Sequence, residues 1–271
     1  MIEKLMKLVP PGGLPYCEPY CGGASLFFAR EPAPVEVLND INGDIVNLFR
    51  CLQDKKTFEE LRHKIMYIPY AREEFERAVE IYNSDSQNVD NVTRALAFFI
   101  VQNQGFAGNT NKVRFGDWGR VFCSTRNIAE TTNRWIMRLS MLDAFHWRLM
   151  MAQIDNIDAI ECIKYWDTQN TVFYIDPPYH QDTRKRKNAY KFEASEEHLK
   201  ALVEVLLNVK GSVTLSGYNH EIYLPLEYAG WKRIDFRTVS HAAGKVRKSN
   251  LRGEDSAIEN VPRIESVWIN P

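Results

Sequence analysis

The stretch TVFYIDPPY, Thr171 to Tyr179, decides the fold. Its apolar run Val172–Ile175 is followed at once by an acid and two prolines. Proline has no N–H to give to a ladder, so the strand must end at Asp176. The turn Asp176-Pro177-Pro178-Tyr179 then sits at the carboxyl edge of a parallel sheet, where α/β proteins bind their ligands. Its chemistry suits a planar exocyclic amine. The Asp176 carboxylate and the Pro177 carbonyl, turned outward by the rigid backbone, would accept the two amine protons. That draws the nitrogen lone pair out of ring conjugation, and Tyr179 would stack on the ring. A competing reading of the same four residues is a strand, a rigid turn and a buried aromatic.

Working outward, further β-type runs occur at Leu14–Glu18, Val35–Asn39, Leu149–Ile154, Ser212–Ser216, Trp231–Arg237 and Ile264–Ile269. With Val172–Ile175 they predict seven strands alternating with helices, an α/β domain with a largely parallel sheet. Between the second and third strands the texture changes. A core helix presents Ile45, Val46, Leu48, Phe49 and Leu52 on one face. Thr57 with Glu60 reads as a capping box opening the next helix. Residues 88–101 and 128–145 read as further helices, and the glycine- and asparagine-rich stretch between them as loop or hairpin. Residues 55–145 are therefore expected to form an inserted, mainly helical subdomain within a domain built from 1–54 and 146–271.

A second motif, EPYCGGAS (Glu18–Ser25), follows the first strand and precedes a helix. Glycine lets the backbone approach a ligand closely. Asp40 ends the second strand in VLND, where an acid is placed to bind ribose hydroxyls. The pattern is neither GxGxxG nor GxxxxGK[ST], which disfavours a dinucleotide and excludes a P-loop.

Composition narrows the function classes. The chain has 271 residues, 45% hydrophobic and 25% charged, ordinary values for a globular protein. The longest apolar run, Ala95–Val101, is too short to cross a bilayer, and no signal peptide is visible. Five scattered cysteines without a CxxC pair argue against a disulfide framework or zinc site and favour a reducing cytoplasm. The six histidines show no metal-ligand spacing, so no metal is expected. GxSxG and HExxH are absent, and a hydrolase has no support.

Taken in order, EPYCGGASLFF, LNDINGDIVNLF, DNIDAIECI, TVFYIDPPY, NAYKFE with His198-Leu199, SGY (Ser216–Tyr218) and ESVWINP resemble the D12-class, Dam-type DNA N6-adenine methyltransferases across nearly the whole chain. The resemblance implies a class I methyltransferase with a seven-stranded Rossmann-like sheet, S-adenosyl-L-methionine as cofactor, and the insertion as target-recognition subdomain. It implies that Glu18, Tyr20, Gly22 and Gly23 line the methionine end of the cofactor, that Asp40 holds its ribose, and that Asp158 with the backbone at Ile157–Ala159 meets its adenine. Asp176 to Tyr179 would form the target-amine pocket, with Asp176 also near the cofactor. Asp158 also reads as a helix N-cap, and the two roles are compatible.

The implied partner is double-stranded DNA. With net charge -1, the phosphates must be met by local basic segments, here Lys112–Arg138 (net +4), Asp182–Lys191 (net +4) and Lys232–Arg252 (net +6). Each also reads as a solvated surface. The DNA contacts expected are Arg114, Arg120, Arg126, Arg184, Lys185, Arg186, Lys187 and Tyr190, the last five lying just beyond DPPY. In the first segment Phe106, Phe115, Trp118 and Phe122 interleave with Arg and Asn, as groove-reading or stacking residues or as core aromatics under a hairpin.

The reading that follows is methylation of the exocyclic N6 amine of adenine after base flipping. The alternatives are an N4-cytosine or RNA adenine enzyme, or a weak or silent DNA-binding subunit of the same fold. One departure from the family concerns a YxGGK-type segment, which family members carry about a dozen residues before the proline matching Pro10 and which this sequence lacks. Lys4 and Lys7 fall instead on a helix whose apolar face is Ile2, Leu5, Met6 and Val9, and they are expected to point to solvent. Weak methylation by this chain alone, or a protein partner supplying the segment, is the corresponding expectation.

Overall fold

The computed structural model describes residues 2–84, 88–105, 113–121, 124–125, 127–180, 192–239 and 262–271. Its strands are β1 (Tyr16–Glu18), β2 (Glu36–Asn39), β3 (Ser124–Thr125), β4 (Ile128–Ala129), β5 (Gln153–Asp155), β6 (Val172–Ile175), β7 (Ser212–Gly217), β8 (Lys232–Val239) and β9 (Pro262–Ile269). β3 and β4 pair as a small antiparallel hairpin, and the other seven form one sheet in the order β5-β2-β1-β6-β7-β9-β8. Strands β5, β2, β1, β6 and β7 run parallel, while β9 returns antiparallel to β7. The chain leaves β1 toward β2 and β5 on one side, then resumes at β6 on the other. The switch point therefore falls between β1 and β6, the position at whose carboxyl ends open α/β sheets bind their ligands.

The helices are α1 (Ile2–Leu5), α2 (Ser25–Ala29), α3 (Gly43–Gln53), α4 (Lys55–Met66), α5 (Arg72–Asn83), α6 (Asn91–Gln104), α7 (Glu130–Ser140), α8 (Leu142–Leu149), α9 (Ala159–Trp166), α10 (Glu196–Leu206) and α11 (Leu224–Tyr228). Two compact units result: residues 1–46, 151–238 and 264–271 form the first, and 47–150 with 239–263 the second, the division falling within α3.

In the first unit the sheet's apolar faces are covered by helices. Leu199, Leu202, Val203 and Leu206 recur at helical spacing on α10, and they bury with Cys162 and Ile163 of α9 against Phe173, Ile175, Val213, Leu215 and Trp268. Each such side chain contributes roughly 1.5–3 kcal/mol by leaving water. Both helices start on side-chain caps: Asp158 accepts from Ile160 N–H at 2.8 Å, and Ser195 Oγ from His198 N–H at 3.1 Å. The Cys17 and Cys162 thiols lie 3.8 Å apart in this core, both buried and free of a disulfide, and they share a hydrogen bond.

In the second unit α5 and α6 pack together, with Phe75, Ala78, Val79 and Tyr82 of α5 buried. Arg94 is buried at the α5 end. Its Nη1 donates to the carbonyls of Ile81 (3.0 Å) and Tyr82 (2.9 Å), and its guanidinium lies 5.1 Å from the Tyr82 ring. It thus serves last-turn carbonyls, which a helix C-terminus leaves without i+4 partners. His146 of α8 stacks on Phe58 at 4.2 Å, with Nδ1 2.7 Å from the Leu52 carbonyl.

Several local expectations are corrected. Helix α4 is opened by Asp54, which accepts from Thr57 N–H at 3.0 Å, while Glu60 pairs with Lys64 at 2.7 Å. Asp54 supplies the same acceptor three residues earlier, so no Thr57–Glu60 capping box forms. The helix expected over 128–145 breaks at Met141 into α7 and α8. Leu149 ends α8 and starts no strand, its apolar side chain serving a helix face instead. Helix α1 is one turn long and buries Leu5; Val9 beyond it is also buried, while Ile2 and Met6 are exposed. Lys4 and Lys7 are both exposed as expected, and the Lys4 ammonium also lies over the Phe236 ring at 5.2 Å. Among the described residues no helix is long and apolar enough to cross a membrane.

Candidate functional site

The carboxyl ends of β1, β2, β6 and β7 bring the sequence motifs together. Glu18 ends β1 and is buried; its Oε1 accepts from Tyr16 O–H (2.7 Å) and Phe27 N–H (2.8 Å). Burial pushes its carboxyl up to about 8 against the pull of those two donors, and the nearby Asp176 charge adds to the rise. The following turn is tied to the end of β2 and to Asp40 just beyond it. Cys21 N–H donates to the Asn39 carbonyl at 2.9 Å, and Gly22 N–H to Asp40 Oδ2 at 2.9 Å. Gly22 holds φ +49°, where a side chain would be strained. The other Asp40 oxygen accepts from Asn42 N–H at 2.8 Å. Asp40 therefore shapes the turn, and among the described residues each of its oxygens accepts one hydrogen bond and has a second lone pair.

Asp158 and Ile157 approach the same turn from the loop after β5. The buried Asn39 amide spans the gap, donating to the Pro19 carbonyl (2.9 Å) and the Ile157 carbonyl (3.0 Å) and accepting from Ile157 N–H (2.9 Å). Asp158 Oδ1 caps α9, and its Oδ2 stands 4.0 Å from His198 Nδ1. His198 Nε2 is 2.7 Å from the Tyr20 hydroxyl.

Asp176 leaves the end of β6. Its Oδ1 is closed to solvent and has no hydrogen-bond partner among the described residues. Burial pushes its carboxyl up to about 6, partly offset by the Tyr179 and Tyr174 hydroxyls. Tyr179 packs edge-on against Tyr218 with ring centroids 4.8 Å apart. His180 stacks on His220 at 4.1 Å. The loops after β6 and β7 thus form two successive aromatic pairs, the first of them at the Asp176 carboxyl.

Arg114 and Arg120 belong to the second unit, and both are exposed. Phe115 is half exposed, whereas Trp118 packs near Tyr70 (5.5 Å) and under Arg72 (5.3 Å) as a structural aromatic. Arg126, Arg184, Lys185, Arg186, Lys187 and Tyr190 lie outside the described residues, as do Phe106 and Phe122. No group of three or more His, Cys, Asp or Glu able to hold a metal occurs among the described residues.

Sequence reasoning passed over Asn39, Tyr218 and His220 as site residues. Asn39 carries a signal of its own, a polar amide ending a buried strand directly before Asp40. Tyr218 and His220 follow β7 as Tyr179 and His180 follow β6, which places them at the same sheet edge.

The family model for D12 class N6 adenine-specific DNA methyltransferases matches residues 1–235. No curated protein sequence matches the chain. Among solved structures, a precorrin 8W decarboxylase from Methanobacterium thermoautotrophicum superposes over 100% of this chain and 88% of its own, with TM-score 0.39 and 7% identity. An rRNA methyltransferase, AviRa from Streptomyces viridochromogenes, does so over 99% and 80%, with TM-score 0.34 and 9% identity.

Proposed function

The chain belongs to the D12 class N6 adenine-specific DNA methyltransferases, and from that premise we propose that it uses S-adenosyl-L-methionine to methylate an adenine flipped out of duplex DNA into the crevice between β1 and β6. The observation that carries the reading is the Asp176 carboxylate oxygen, closed to solvent, unpaired among the described residues, and next to Glu18 at the switch point. Two such acids disfavour an anionic ligand and fit a cationic one. The methionine end of S-adenosyl-L-methionine, with its ammonium and sulfonium, is such a ligand.

Glu18, Tyr20 and the Gly22–Gly23 turn would hold that methionine end, Asp40 the ribose, and Asp158 with Ile157 the adenine. When bound, the cofactor supplies an electrophilic methyl group. Asp176 Oδ1 and the Pro177 carbonyl would accept hydrogen bonds from the two N–H groups of the target amine, which concentrates the lone pair on nitrogen. Holding the amine in place is the larger part of the catalysis. The methylated nitrogen carries a surplus proton, and a carboxylate with a pKa of about 6 can take it and return it to water. Tyr179, backed by Tyr218, offers its ring to the flipped base. The flip costs a few kcal/mol, and phosphate contacts from Arg114, Arg120, Arg126 and the run from Arg184 to Lys187, with Tyr190, would offset it. The inserted unit is assigned to target recognition.

Transfer of tritium from labelled S-adenosyl-L-methionine to unmethylated duplex DNA tests the reading. Label on duplex DNA and none on a matched RNA supports it. Label on RNA alone assigns the chain to another substrate, and label on neither leaves a silent DNA-binding subunit.

A further inference from the structure

Tyr20, His198 and Asp158 come from three separate segments and form a chain of contacts. Tyr20 sits in the turn after β1, Asp158 at the start of α9, and His198 in the first turn of α10. We infer that His198 is a positioning residue for the cofactor pocket, holding the Tyr20 phenol and with it the Glu18–Gly23 turn in binding geometry. The inference rests on the reading that this turn takes the methionine end of S-adenosyl-L-methionine.

The proton positions follow from the partners. A carboxylate only accepts hydrogen bonds, so Asp158 Oδ2 favours a hydrogen on the facing Nδ1 of His198. At 4.0 Å this approach orients the ring electrostatically and is too long for a hydrogen bond. In the neutral ring Nε2 then carries a lone pair, aimed at the Tyr20 hydroxyl 2.7 Å away. Burial holds that hydroxyl far above its ordinary pKa, so it stays protonated and donates. The two rings meet edge-on, with centroids 6.1 Å apart and planes at 87°. His198 is itself fixed by the Ser195 cap on its backbone N–H.

Among the described residues, the rest of the turn is tied to one neighbouring strand. Pro19, Cys21 and Gly22 are each bonded to Asn39 or Asp40, at the end of β2 and just beyond it. The Tyr20–His198 bond ties the turn in the other direction, to α10. Without it the phenol keeps a buried hydroxyl with no acceptor, and turning outward to water is its cheapest remedy.

Three substitutions in the full chain separate this role from simple structural support. His198→Ala is expected to weaken S-adenosyl-L-methionine binding about tenfold by calorimetry, the scale of one hydrogen bond to a buried group. It should raise the cofactor KM to match and leave kcat at saturating cofactor within about twofold. His198→Gln, whose amide oxygen reaches the place of Nε2, should restore binding to within about threefold. His198→Asn, which reaches only the place of Nδ1, should behave like alanine. In a Tyr20→Phe background His198→Ala should cost nothing further. Wild-type affinity in His198→Ala, or equal losses in the Gln and Asn variants, overturns the inference while the cofactor reading stands. Wild-type protein that binds no S-adenosyl-L-methionine overturns the cofactor reading, and the inference falls with it.

Discussion

Glu18 and Asp176 end neighbouring parallel strands, β1 and β6, close enough for the Asp176 charge to add to the rise that burial imposes on the Glu18 carboxyl. The arrangement puts two reluctant acids at the one place in the sheet where the strand order reverses. Under the proposed function such a pair suits positive charge, and Asp176 Oδ1, which has no hydrogen-bond partner among the described residues, is the acceptor for the amine.

Activity should depend on the ionisation of Asp176. The protonated carboxyl accepts poorly from the amine, so kcat/KM is expected to rise between pH 5 and 7 with a midpoint near 6. A bound cation favours the ionised form, so the midpoint in kcat should lie lower. A profile flat from pH 5 to 8 would remove Asp176 from the chemistry.

Glu18 should make the fold sensitive to alkali. Its carboxyl is higher in the folded chain, at about 8, than in the unfolded chain. The stabilisation from holding that proton is complete below the unfolded pKa and is lost as pH rises through about 8. Urea unfolding at pH 6 and pH 9 should show wild type losing on the order of 2 kcal/mol more than Glu18→Gln. Parallel losses in the two proteins would show that Glu18 ionises freely.

Asp176→Ala and Asp40→Ala should fail in opposite ways. The first should abolish transfer and leave S-adenosyl-L-methionine binding within a few fold. The second should weaken that binding about 10- to 150-fold, through loss of a charged hydrogen-bond pair. Calorimetry beside a turnover assay tells them apart, and an unchanged dissociation constant in Asp40→Ala would leave Asp40 a turn-shaping residue only.

Neutralising Arg184, Lys185, Arg186 and Lys187 together should flatten the salt dependence of DNA binding, by about 0.9 in log–log slope for each phosphate that no longer meets a cation. An unmoved slope would place the DNA on another surface.

What the sequence made legible follows from what is local. Asp176 announces itself because prolines end β6 at once, and Asp40 because VLND stops β2 at an acid. These signals need only neighbouring residues. The pairings between distant segments were not readable, since Tyr20 meets His198 across 178 residues and Asn39 reaches Ile157 across 118. Tyr218 and His220 gain meaning only because β7 lies beside β6 in register. The misplaced start of α4 has a smaller cause. Asp54 and Thr57 are both good caps three residues apart, and spacing alone does not choose between them.

Adenine methylation through Asp176 is tested most directly by the identity of the methylated nucleoside. Unmethylated duplex DNA is incubated with the full chain and labelled S-adenosyl-L-methionine, digested to nucleosides and separated. Label is expected in N6-methyldeoxyadenosine, and none when Asp176→Ala replaces wild type. Label in N4-methyldeoxycytidine, or in N6-methyldeoxyadenosine at undiminished level with Asp176→Ala, would contradict it.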